Sequence, residues 1–245
     1  MADYTQDANC EAAYLFTEGS GGTLDNAEGT AARDGTISGA DWSADVPSFG
    51  ISGSAAGSLL FDRNQDYVSC GTFDPSAGDL TIVFWAKWND LGTGHNTFLS
   101  KRDSWSIDDM RWQFGRDDTN SQMIIQHPWS SNYWTGDDLT VDTWVATACV
   151  FDYDTSNTLY FNGISKGVGN GTDPIAWAND TAAAVTIGNT NAGDWEGCDS
   201  YVTEVALFSR TLSSTEINDI MDNGLVGSVE PQPAMMTTNT GFWGA

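Results

Sequence analysis

Apolar residues in this chain recur at every second position over short stretches, and almost nowhere at helical spacing. In residues 79–88, Leu80, Ile82, Phe84, Ala86 and Trp88 share one face, while Thr81, Val83, Trp85 and Lys87 share the other. Residues 143–152 are largely apolar on both faces. Val145, Cys149 and Phe151 oppose Trp144, Ala146, Ala148 and Val150, the pattern of a central strand covered on both sides. Further strands are predicted over 10–16, 58–61, 67–70, 97–101, 111–116, 122–126, 158–161, 184–187 and 201–209, separated by clusters of Gly, Asn, Asp and Ser. The segment NTLYFNGISKG reads as a hairpin, with Asn162-Gly163 supplying the positive-φ turn. One short late helix is predicted: Ser213 and Glu216 form a capping box, Ile217, Ile220 and Met221 an apolar stripe, and Gly224 the stop. Many short strands joined by short links predict an all-β fold of two packed antiparallel sheets.

A chain of 245 residues, 40% of them hydrophobic, can bury a single core of this kind. The expected organisation is an N-terminal arm over 1–9, one domain over 10–227, and a tail over 228–245. The tail begins where the composition shifts to SVEPQPAMMTTNTGFWGA, whose prolines break regular structure. It reads either as a disordered end or as an apolar anchor, with Phe242 and Trp243 docking on a partner or another copy of the chain. Nine Lys plus Arg against 34 Asp plus Glu give a formal net charge of -25. Such a field repels nucleic acid and anionic membranes, favours cations, and keeps a protein soluble in high salt. No stretch has the roughly 18 consecutive apolar residues of a membrane helix, so no membrane insertion is expected. The first residues, MADYTQDANCEAAY, lack the basic and apolar regions of a signal peptide. Cys10, Cys70, Cys149 and Cys198 show no zinc-site spacing; they read as buried free thiols, with a Cys10 to Cys198 disulfide as the alternative if the first and last strands pair.

Two stretches carry candidate chemistry. Residues 103–138 interleave Trp105, Trp112, Trp129, Tyr133 and Trp134 with Asp, Asn, Ser and Gln, which is what a sugar ring needs: a flat apolar face and fixed hydrogen-bond partners. Trp112 alternates with Phe114 on a strand and is assigned to the core. Trp129, Tyr133 and Trp134, with Trp105 beside them, are the expected platform, and core or subunit-interface packing is the competing reading. The second stretch is the glycine-rich acidic loop over 18–34, whose carboxylate and amide oxygens suit calcium. No EF-hand spacing occurs, so any calcium is expected to be structural.

The order of five motifs resembles the laminin-G-like jelly-roll family within the concanavalin A-like superfamily, over roughly residues 10–225: AAYLFTEGSGGTLDNAEGTAARDGTISGADW, SLLFDRNQDYVSC, DLTIVFWAKW, TWVATACVFDYDTSNTLYFNGISKG and YVTEVALFSRTLSSTEI. The resemblance implies a concanavalin A-like, two-sheet antiparallel jelly-roll sandwich with one short C-terminal helix. It also implies a structural calcium site, with Glu18, Asp25, Asn26 and Asp34 in a loop approaching the closing strand and Glu204 on that strand. Thr203-Glu204 stands where the family usually has Asp-Glu. Glu204 is expected to share a strand face with Val202, Ala206 and Phe208, and a salt bridge to Arg33 or Arg210 is its alternative partner to a cation.

The alternating carboxylates by which retaining glycosidases of this superfamily resemble one another are absent, and neither His95 nor His127 has a nucleophile signature nearby. The chain is therefore expected to bind and not to catalyse. Two functional classes follow. One is a structural and interaction protein of a virus particle, a decoration, fibre or tail component with affinity for host glycans, whose partners are other particle subunits or further copies of itself. The other is a secreted or cell-surface calcium-dependent carbohydrate-binding module. The expected location is accordingly a virion or the extracellular space.

Overall fold

The computed structural model describes residues 2–51, 57–63, 65–74, 78–91, 95–103, 110–117, 122–127, 130–135, 139–153, 155–169, 182–190 and 197–227. In chain order the strands are β1 (Cys10–Tyr14), β2 (Thr23–Leu24), β3 (Gly35–Ser38), β4 (Asp41–Ser43), β5 (Ser58–Asp62), β6 (Tyr67–Ser69), β7 (Leu80–Trp88) and β8 (His95–Arg102). They continue with β9 (Met110–Asp117), β10 (Gln122–His127), β11 (Ser130–Thr135), β12 (Trp144–Asp152), β13 (Ser156–Phe161), β14 (Ile164–Val168), β15 (Val185–Ile187) and β16 (Asp199–Phe208), followed by the helix α1 (Ser214–Asn223). Among the described residues these strands form two antiparallel sheets. The first runs β14-β13-β12-β7-β16-β5-β4, with β1 also paired to β16; the second runs β11-β10-β9-β8-β15-β6-β3-β2. The expected two-sheet jelly-roll sandwich is what the chain adopts.

The period-2 pattern explains the packing. Leu80, Ile82, Phe84, Ala86 and Trp88 of β7 meet Phe98, Leu99, Trp112, Phe114, Met123 and Ile125 of the facing sheet in the core between the sheets. Trp112 and Phe114 thus lie where alternation put them. The opposite face of the first sheet is also buried: Val83, Trp85, Ala146, Ala148 and Val150 lie under Ile217, Ile220 and Met221 of α1. The helix is the reason β7 and β12 are apolar on both faces. Its capping box is formed by Ser213 and Glu216, and it ends at Gly224, whose N–H bonds the Ile220 carbonyl. The Asn162-Gly163 turn has φ of 49° and 78° and joins Phe161 to its cross-strand partner Ile164.

The cysteines follow the buried free-thiol reading, and two other expectations are corrected in detail. β1 and β16 do pair, yet Cys10 lies opposite Phe208 at the end of the ten-residue β16, whereas Cys198 immediately precedes its start. The two cysteines are thus separated by about 30 Å of strand, far beyond disulfide reach, and all four cysteines are free and buried. Glu204, Val202, Ala206 and Phe208 do not all share one face. The register between β16 and β7 shifts between Thr203 and Val205, so Val202 faces the inter-sheet core while Ala206 and Phe208 face the helix. The polar segments β2, β3 and β4 and the aromatic β11 are strands that alternation did not separate from loops.

Tyr4 ties the N-terminal residues to the helix and the chain just after it. The Tyr4 N–H donates to the Leu225 carbonyl at 2.8 Å and its hydroxyl to Asp219 at 3.0 Å, while Arg210 bonds Asp7. The 228–245 segment lies outside the described residues. Among those described, no helix is long and apolar enough to cross a membrane.

Candidate functional site

The acidic turn is knitted together by its own side chains. Glu18 Oε1 accepts from the Asp25 N–H at 2.7 Å, and Asp34 Oδ1 accepts from the Asn26 N–H at 3.0 Å. Asn26 is buried; its Oδ1 accepts from the Ala13 N–H at 2.9 Å, and its amide donates to Glu28 and to the Thr30 carbonyl. The oxygen that would serve a cation is thereby engaged in holding the turn against β1. Glu204 is not part of this turn. β1 stands between Asn26 and β16, through the Asn26, Tyr14 and Val205 register, which puts Glu204 about 10 Å away.

The Glu204 backbone has φ of 39°, uncommon for a residue with a side chain, and its buried carboxylate accepts from the Leu225 N–H at 3.3 Å. It ties the strand bulge to the chain just after α1. The alternative partners go elsewhere, Arg33 to Glu11 and Glu28, Arg210 to Asp7 and Glu216. Calcium takes six to eight oxygens. Among the described residues no group of three or more His, Cys, Asp or Glu side chains is gathered to hold a metal.

Of the aromatic platform, Trp105 and Trp129 lie outside the described residues. The backbone of β11 places Tyr133 across from Ile124 and Trp134 across from Met123.

A different constellation emerges on the second sheet. Cross-strand partners run from Thr36 to Ser69, Thr186, Ser100, Gln113, Gln126 and Ser131 in one line over β3, β6, β15, β8, β9, β10 and β11. Their strand neighbours Ile187, Leu99, Phe114 and Ile125 belong to the core, so this line lies on the sheet's outer face. Six strand spacings make it about 29 Å long. Each position carries a hydroxyl or a carboxamide residue.

The middle of the line is buried and ordered. Ser100 and Thr186 share a hydrogen bond of 2.7 Å, Thr186 donates to the Asn189 carbonyl at 2.7 Å, and Arg102 donates to Gln113 Oε1 at 2.5 Å. Arg111, on the same strand as Gln113, pairs with Asp74 at 2.9 Å. Around it, Gln126 Oε1, Asn189 Nδ2 and Thr190 Oγ1 are buried with no hydrogen-bond partner. Leaving such groups unsatisfied costs about 1–3 kcal/mol each, which a bound hydroxyl-rich ligand or water would recover. Sequence reasoning missed this line because each member is an ordinary polar residue on its own strand, and only register aligns them.

The sequence profile described as concanavalin A-like lectin/glucanases superfamily matches residues 62–218, more than half of the chain. The chain belongs to this superfamily. No curated protein sequence matches it. Among solved structures, the fold of this superfamily member is similar to domain 4 of AbnA, an extracellular arabinanase from Geobacillus stearothermophilus in complex with arabinotriose. That match has a TM-score of 0.63 and 15% identity, covering 87% of this chain and 98% of that domain. It is also similar to Trypanosoma rangeli sialidase in complex with sialic acid, at TM-score 0.63 and 15% identity, over 90% of this chain but only 34% of the sialidase. The binding domain of Paraclostridial Mosquitocidal Protein 1 matches at TM-score 0.60 and 13% identity, over 87% of this chain and 52% of that one. At these identities the likeness concerns the fold.

Proposed function

We propose that this chain is a non-catalytic glycan-binding module that takes a sugar at the half-buried Gln126 end of the hydroxyl and carboxamide line of its second sheet, where the buried Ser100, Thr186 and Gln113 hold the line in place. The observation that carries the reading is the line itself, seven register positions with hydrogen-bonding side chains and no carboxylate among them. Hydroxyl and amide groups donate and accept at once, as sugar hydroxyls do, and the half-buried Gln126 has a carboxamide oxygen without a hydrogen-bond partner. A glycosidase needs two carboxyl groups flanking the scissile bond, and this line supplies neither. The arabinotriose and sialic acid held by the structural neighbours are in keeping with the ligand class.

The test is calorimetric titration with neutral and acidic oligosaccharides, with and without EDTA. Binding is expected for at least one glycan, unaffected by the chelator and about tenfold weaker in Gln126→Ala, because one good hydrogen bond is worth about that factor. Unchanged affinity in that variant, or depolymerisation of any glycan by the purified protein, would overturn the reading.

In its finer form the module is a virus-particle component, a decoration, fibre or tail protein whose 228–245 segment anchors it to other subunits through Phe242 and Trp243. Light scattering of the full chain against one ended at Gly227 tests this; identical assembly of the two removes the anchor.

A further inference from the structure

The first sheet carries a second line of side chains, on its outer face beyond the helix. Register aligns Trp144 with Lys87, Lys87 with Tyr201, Tyr201 with Leu60, and Leu60 with Asp41. Trp144, Lys87, Tyr201 and Leu60 are half-buried and Asp41 is exposed, in contrast to Val83, Trp85, Ala146 and Phe208, which lie on the same face beneath α1. The segment after β4 crosses this face, coming so close to the helix at Gly50 that an added Cβ would sit 1.9 Å from the Met221 carbonyl oxygen. It forms a wall beside the line, and Trp144 also packs against the cluster beneath α1.

Asp45, on that wall, organises the line. Its carboxylate accepts from Trp144 Nε1 at 3.0 Å and pairs with the Lys87 ammonium, while its carbonyl is held by the Ser58 hydroxyl at 2.6 Å. Lys87 Nζ sits 4.5 Å from the centre of the Tyr201 ring, and the rings of Trp144 and Tyr201 lie 6.4 Å apart at 51°. Each aromatic plane is thus fixed by a polar contact at its edge or face and still half open. Core packing alone does not require a tryptophan whose indole nitrogen is held by a partly exposed ion pair. The arrangement presents a rigid apolar surface with a donor and an acceptor at its rim, set before any ligand arrives.

We propose that this line is a second glycan subsite, on the sheet opposite to the hydroxyl and carboxamide line, which takes a neutral sugar ring stacked on Trp144 beside Tyr201. Charge decides for a neutral sugar. Lys87 is compensated by Asp45, Asp41 adds a further carboxylate, and the chain as a whole carries -25, so an acidic sugar would meet net repulsion. The subsite shares only its ligand class with the function proposed above, and uses none of the same residues.

The experiment titrates arabinotriose, xylotriose and cellotriose, with sialic acid as the charged control, into the wild type, Gln126→Ala, Tyr201→Ala and the double variant. Gln126→Ala is expected to retain a saturable site for a neutral trisaccharide that Tyr201→Ala weakens about tenfold, the worth of one aromatic stacking contact, while Tyr201→Phe preserves it. Circular dichroism checks that the variants fold, and Trp144→Leu serves as an independent probe of the same surface. If Tyr201→Ala and Trp144→Leu bind all three trisaccharides as their parents do, or if sialic acid binds at this site more tightly than the neutral sugars, the proposal is wrong. Loss of all binding in Gln126→Ala alone would overturn this subsite while sparing the first one. An unchanged Gln126→Ala combined with a weakened Tyr201→Ala would do the reverse.

Discussion

At the scale of single residues, Arg210 joins two carboxylates from distant parts of the sequence. Arg210 Nη2 donates to Asp7 at 2.6 Å and to Glu216 at 2.7 Å, while the other Glu216 oxygen accepts from the Ser213 N–H and hydroxyl. The hydrogen bond from Arg210 holds the Glu216 carboxyl at about 2, well below its usual 4.5, and Asp7 is lowered by the same guanidinium. A depressed carboxyl stabilises the fold above its unfolded value and loses that contribution as pH falls through its folded value. The stability difference between wild type and Arg210→Met should therefore be full above about pH 4.5 and shrink toward pH 2, as measured by thermal melts across that window. A difference that stays constant with pH would show that the guanidinium acts by packing. The capping half of this network was legible as S-x-x-E, a local spacing. The Asp7 half was not, because 203 residues separate it from Arg210. Glu204 teaches the same lesson: its type and strand were readable, but a one-residue bulge redirected it from the acidic turn to Leu225.

At the scale of elements, those whose instructions are local formed as expected. The β13–β14 hairpin rests on Asn162-Gly163, and the fold adds a clamp, since the Gly163 N–H meets Met221 Sδ at 2.7 Å and an added Cβ would lie 2.4 Å from Asn218 Oδ1. Gly163→Ala should destabilise the protein by about 1–2 kcal/mol from the left-handed backbone alone, and by more if Asn218 cannot move, measured by urea unfolding. A smaller loss in the double variant Gly163→Ala, Asn218→Ala would confirm the contact. β2, β3 and β4 escaped notice because they are only two to four residues long and largely polar, and pairing with neighbours defines them as strands. β11 gives no strand signal because its aromatics lie among Ser and Asn without alternation; it is a strand by virtue of its register with β10.

For the whole molecule, the balance lies between a doubly buried first sheet and the self-repulsion of a -25 chain. At about 1 M salt the screening length falls to roughly 3 Å, against about 10 Å at 0.1 M, so melting temperature should rise by several degrees between low and high sodium chloride. Equal melting temperatures would mean that the carboxylates are already neutralised by their placement. The sequence by itself determined the all-β class, the two faces of β7 and β12, the hairpin turn and the capped helix, since period, turn chemistry and caps act over a few residues. The tertiary structure alone decided which polar residues line up. Thr186, Ser100, Gln113 and Gln126 become one row, as do Trp144, Lys87 and Tyr201, through strand register, which is fixed by the packing of the opposite faces and is written in no single segment.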